Sequence, residues 1–75
     1  MSIIFSEHAK QQLKRRRISR KRAIKTIRKP ENRIETFKSR NLQQRRFGDK
    51  ILEVVTKTEG SGITVVTGYY LKKIL

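Results

Sequence analysis

The 75 residues make a single domain, 1–75, with room for only a lean core, because a chain this short buries about 60% of the surface that its unfolded form exposes. It has no cysteine, one histidine and six acidic residues, so disulfides and thiolate metal sites are excluded, and no zinc site or other cofactor is expected. Twenty Lys and Arg leave a net charge of +14, which points to a polyanionic partner and burdens the folded chain with self-repulsion.

No apolar run approaches the roughly 18 residues of a membrane span. The opening MSIIFSEHAK also lacks the basic start and long apolar stretch of a signal peptide, so a cytoplasmic protein without membrane contact is expected. Residues 2–5 are a short apolar segment, predicted as an edge strand or a packed arm. Ser6 is placed as a helix N-cap, and Glu7 lies in the first turn, where a negative charge suits the helix dipole. Ala9 and Leu13 give this helix a narrow apolar stripe, and it is expected to end near Arg16 or Arg17. Ser19 caps a second helix, with Ile18 and Ala23 in the two positions of a hydrophobic staple. Ala23, Ile24 and Ile27 form its buried stripe, and Pro30 ends it.

Beyond Pro30 the period falls from about 3.6 residues to about 2. Residues 33–38, 41–47, 51–57 and 63–70 read as strands, with turns at Gly48-Asp49 and over residues 59–62. Residues 71–75 are a tail that either docks by Ile74 and Leu75 or frays. The expected architecture is α+β, with two N-terminal helices packed on an antiparallel sheet of about four strands. One face of the sheet takes the helices and the other is left open.

The run KRRRISRKR, residues 14–22, holds seven cations in nine residues, and residues 10–29 hold eleven cations and no acid. A solvated helix surface interleaves Glu with Lys at i,i+4, and this stretch has no such partner. The better reading is a grip on nucleic-acid phosphates by Lys14, Arg15, Arg17, Arg20, Lys21 and Arg22, with Arg45 added from a strand. DNA, structured RNA and single-stranded RNA are all compatible with it. The apolar stripe of the first helix is too thin for a membrane-surface helix.

His8 reads either as a half-buried residue of the first turn or as a proton-transfer group, which nearby cations would hold in its neutral, basic form. Strand alternation puts Arg45 and Arg46 on opposite faces, and Tyr69 and Tyr70 likewise. At most one of each pair therefore reaches a common site, where aromatic rings stack on bases and Arg holds phosphate.

The string FSEHAKQQLKRRRIS, a helix ending in RKP, then QRRFGDKILEVV and ITVVTGYY resemble the small bacterial proteins of the DUF4258 family. That family is in turn similar to RelE-type toxins. The resemblance covers nearly the whole chain and matches His8, Arg16 eight positions later, Arg46 before Phe47, and Tyr69 in the closing VVT-x-Y strand. It implies a RelE-like fold and a toxin that cleaves RNA, with ribosome-bound mRNA as a candidate substrate and an acidic antitoxin protein as partner. Such sequences usually carry Gly after the helix-one arginine, where the chain needs a left-handed turn. Here Arg17 stands there, at a cost on the order of 1 kcal/mol. Either a phosphate contact offsets that cost or the junction runs differently and aims Arg16 elsewhere.

On this expectation a base takes the proton of a ribose 2′-hydroxyl, which attacks the adjacent phosphate. His8 is the base, Arg16 and Arg46 stabilise the charge on the phosphorus oxygens, and Tyr69 positions the substrate or acts as the acid. The competing expectation is a nucleic-acid- or ribosome-binding module without catalysis, which needs only the basic surface.

Overall fold

A computed structural model of the chain describes residues 2–71. In chain order the elements are β1 (Ser2–Phe5), α1 (Glu7–Arg15), α2 (Arg20–Arg28), β2 (Asn32–Glu35), β3 (Arg40–Phe47), β4 (Lys50–Glu59) and β5 (Gly62–Leu71). Both predicted caps form: the Ala9 N–H donates to Ser6 Oγ at 3.0 Å and the Arg22 N–H to Ser19 Oγ at 3.1 Å. Ile18 and Ala23, the staple pair, are both buried. In the α2 stripe, Ala23 and Ile27 are buried but Ile24 is only half-buried. Thr26 fills the remaining buried position and turns its hydroxyl back to the Arg22 carbonyl at 2.8 Å, which satisfies the polar atom within the helix.

The sheet departs from the expected antiparallel four strands. Among the described residues it has five, in the order β1-β5-β4-β3-β2, and β1 runs parallel to β5. The helices therefore follow a strand rather than open the chain, and they let the chain pass from β1 to the sheet's far edge, where β2 begins. The edge strands are β1 and β2. The strand expected over residues 33–38 stops at Glu35, because Lys38 and Ser39 both take left-handed backbone (φ 58° and 60°) and reverse the chain. Phe37 is consequently 90% exposed at that turn. Gly48 and Gly60 supply the positive φ of the other two hairpins, 66° and 59°. Leu71, expected to open the tail, instead closes β5, and Ile74 and Leu75 lie outside the described residues.

One face of the sheet carries α1 and α2 over the core of Ala9, Leu13, Ile18, Ala23, Ile27, Leu52, Val54 and Val65. Gly68 lies directly under α1: a Cβ there would stand 3.0 Å from Leu13 Cδ2, so its absence lets the helix come close. Among the described residues, the opposite face carries no helix. Val55 pairs with Thr67 and Thr56 with Val65, leaving Val66 as the extra residue of a bulge. That bulge reverses the alternation, so Val65 points into the core while Thr67 and Tyr69, of the same parity, belong to the open face. Among the described residues, no helix is long and apolar enough to cross a membrane.

Candidate functional site

The α1–α2 junction sets the position of Arg16. The Ile18 N–H donates to the Leu13 carbonyl at 2.9 Å and the Arg17 N–H to the Lys14 carbonyl at 3.1 Å. These two bonds define a Schellman motif, which needs a left-handed residue at the position of Arg17, and Arg17 has φ 58°. The turn usual with glycine is thus kept with arginine. Ile18 and Leu13, the hydrophobic pair of the motif, are both buried.

From this junction Arg16 reaches over the edge of β5. β1 pairs only with residues 62–65 of β5, so the strand beyond is not covered by β1. Arg16 Nη1 donates to the Gly68 carbonyl at 2.8 Å and to Thr67 Oγ1 at 3.3 Å, and Thr67 Oγ1 donates to Gln12 Oε1 at 3.0 Å. The Arg16 guanidinium also sits 5.9 Å from the centre of the Tyr69 ring.

Tyr69 begins a polar row across the open face. Register places Tyr69, Glu53, Gln44 and Asn32 side by side on β5, β4, β3 and β2. The Tyr69 hydroxyl donates to Glu53 Oε2, Gln44 Nε2 donates to Glu53 Oε1 at 2.6 Å, and Asn32 Nδ2 donates to Gln44 Oε1 at 3.1 Å. Glu53 is only 6% exposed, and hydrogen bonds to both of its oxygens offset part of the cost of burying a carboxylate. That carboxylate, together with partial burial, pushes the Tyr69 hydroxyl up to about 12, against a smaller opposing pull from Arg16. Tyr69 is therefore a neutral hydroxyl at pH 7.

Arg46 belongs to the same face, two residues along β3 from Gln44, and its side chain is exposed. Its backbone N–H donates to Glu31 Oε1 at 2.8 Å. Arg16, Tyr69 and Arg46 thus share one side of the molecule, around Glu53. His8 does not join them. It is exposed in the first turn of α1, eight positions before Arg16, a rise of about 12 Å along the helix.

The other cations divide. Arg22 Nη1 donates to the Tyr70 hydroxyl at 2.9 Å, and its guanidinium lies 4.9 Å from the Phe47 ring centre. Arg45 Nη1 donates to the Lys29 carbonyl at 2.6 Å, and Arg20 lies over Phe5 at 5.7 Å. These three tie α2 and the strands together on the helix side. Lys14, Arg15, Arg17 and Lys21 are exposed. Among the described residues a single ion pair forms, Lys10 to Glu7 at 3.2 Å, so the charge is not neutralised internally. The first turn of α2 has no acid and instead carries cations against the positive end of the helix dipole, an arrangement that an anion would relieve. No group of His, Cys, Asp or Glu is gathered to hold a metal ion among the described residues.

Sequence reasoning missed Glu53. Its signal was a lone acid inside the apolar strand ILEVV of a chain with only six acids. Gln44 and Gln12 were visible as residues but had no place until the register and the α1 packing fixed them.

No curated protein and no solved structure matches the chain significantly. The family model described as a domain of unknown function, DUF4258, matches residues 5–70, nearly the whole chain, and the protein belongs to that family.

Proposed function

We propose that this protein is a RelE-like cytoplasmic toxin that binds RNA across the open face of its sheet and cleaves it there, held in check by an acidic antitoxin protein. The observation that carries the reading is the Tyr69–Glu53 pair between two arginines, Arg16 and Arg46, on the uncovered side of a chain with net charge +14. Phosphates of the strand lie on Arg16, Arg46 and the exposed cations of the helix junction, and a base stacks on Tyr69.

In the reaction the ribose 2′-hydroxyl loses its proton and attacks the adjacent phosphorus, and the P–O5′ bond breaks. The products are a 2′,3′-cyclic phosphate and a 5′-hydroxyl, whose proton comes from water. A hydroxyl whose pKa is about 12 is not the resting base. The proton acceptor is the Glu53 carboxylate, reached through Tyr69, which passes its own proton on as it receives that of the ribose. The guanidiniums of Arg16 and Arg46 stabilise the charge that gathers on the phosphorus oxygens. His8, exposed and two turns away, takes no part in this scheme.

The test is cleavage of end-labelled mRNA, with and without ribosomes. Defined cuts are expected from the parent protein and from His8→Ala, and a loss of at least about a hundredfold from Glu53→Gln, Tyr69→Phe and Arg16→Ala, the range of a general acid–base group. Cuts that persist in all three variants, in folded protein, would refute the scheme. A second reading is binding without cleavage. It is favoured by one observation: both Glu53 oxygens and Nη1 of Arg16 are already engaged inside the protein. It predicts salt-dependent RNA binding and no products in either setting.

A further inference from the structure

The helix side of the sheet holds a feature that the open face does not use. Beneath the C-terminal end of α2 lies a cavity of about 380 Å³, within the range of small-ligand sites. Its floor is the inward face of β3. A strand under a helix is expected to be apolar there, yet Asn41 and Gln43 point inward at 8% and 4% exposure. Burying side-chain amides costs free energy unless they are hydrogen-bonded. Gln43 is paired with the Thr56 hydroxyl at 2.9 Å, and among the described residues no fully buried side-chain polar atom lacks a partner, so the Asn41 amide, which has no bond to another side chain, is open to the cavity that it lines. Ile27 and Pro30 supply apolar walls, and Arg28 and Arg33, both exposed, stand at the rim.

We propose that this cavity binds an adenine nucleotide. The base lies against Ile27 and Pro30, and the phosphate rests on Arg28 and Arg33. Asn41 presents a side-chain oxygen and an N–H₂ together, the pair that matches N6–H and N7 of adenine. Two guanidiniums at one rim suit a phosphate better than they suit each other. The nucleotide is either free or an unpaired adenosine of an RNA strand. The site lies on the opposite side of the sheet from Tyr69, so it does not depend on the cleavage reading.

The experiment is a two-dimensional amide NMR titration of ¹⁵N-labelled protein with adenosine 5′-monophosphate, with ribose 5-phosphate, and with a short oligoadenylate. Ribose 5-phosphate keeps the phosphate and lacks the base, so it measures simple attraction to a cationic protein. Adenosine monophosphate is expected to bind at least about tenfold more tightly, one good bidentate contact being worth that much, and to shift the side-chain amides of Asn41 and Gln43. Arg28→Ala/Arg33→Ala, at exposed positions that leave the core intact, is expected to weaken it by about tenfold or more. Asn41→Leu should abolish the preference over ribose 5-phosphate. If only the oligoadenylate moves the same amides, the site takes an adenosine within a strand. Equal binding of the two monophosphates without movement by the oligomer overturns the proposal. So do shifts that leave Asn41 and Gln43 unmoved with both adenosine monophosphate and the oligomer.

Discussion

Replacing Arg17 by glycine should stabilise this protein while weakening the RNA binding proposed for it. Arg17 sits at φ 58° in the Schellman turn that ends α1, and its side chain is exposed. A non-glycine residue in left-handed backbone costs about 1–2 kcal/mol. Glycine removes that strain but adds about 0.5–1 kcal/mol of backbone entropy to the unfolded chain. The net gain is about 0.5–1 kcal/mol, which for a domain of this size raises Tm by roughly 2–8 °C. Arg17→Ala separates strain from charge, since it removes the same cation and keeps the left-handed β-carbon. Thermal unfolding followed by circular dichroism should rank glycine above alanine by at least half of that shift. In RNA binding by fluorescence anisotropy the two variants should lose affinity equally. Equal Tm values would show that charge repulsion, not strain, governs the position. A lower Tm for glycine would refute the reasoning about the turn outright.

Other consequences are as specific. In a Tyr70→Phe background the single remaining tyrosine should ionise near pH 12 by ultraviolet absorbance, and Glu53→Gln should lower that midpoint. Because the folded pKa lies above the free value of about 10, the stability contributed by the Tyr69 hydroxyl is fully present below pH 10. It is lost as the pH rises through about 12, so alkaline unfolding should be steeper in the parent than in Tyr69→Phe. Ser6→Ala, which removes the cap of α1, should cost about 1 kcal/mol in denaturant unfolding, whereas Ser2→Ala, exposed on β1, should be near neutral. Gly68→Ala drives a methyl to 3.0 Å from Leu13 Cδ2 and should cost about 1–3 kcal/mol. It should also loosen the Arg16 contact, seen as a drop in RNA affinity. Arg46→Ala should reduce the slope of log affinity against log salt by about 0.7, the share of one phosphate contact on a single strand.

Much of the helical half was legible because its signals are local. Ser6, Ser19 and Pro30 act on backbone groups within a turn of themselves, so their roles can be read without knowing the fold. The direction of β1 was not legible: nothing in Ser-Ile-Ile-Phe distinguishes parallel from antiparallel pairing, which depends on where α1 and α2 take the chain. The face on which Tyr69 lies was hidden for a related reason. Simple alternation groups it with Val65, and only the bulge at Val66 separates them. The meeting of Arg16 and Tyr69 follows from no local signal, since they are 53 positions apart and their contact depends on α1 lying along β5; family spacing alone links them in the sequence. The same spacing included His8, and the length of α1 carries it away. Glu53 needed three strands in register before its partners Tyr69 and Gln44 could be seen.

The central claim is that a ribose 2′-hydroxyl attacks its own phosphate beside Tyr69 and Glu53. The most direct test is an mRNA with one 2′-deoxynucleotide placed at a mapped cut, incubated with the protein in the presence and absence of ribosomes. The account predicts that this cut disappears while neighbouring cuts and overall binding are unchanged. A cut that survives the loss of the 2′-hydroxyl, or an RNA that is bound and never cut in either setting, would contradict it.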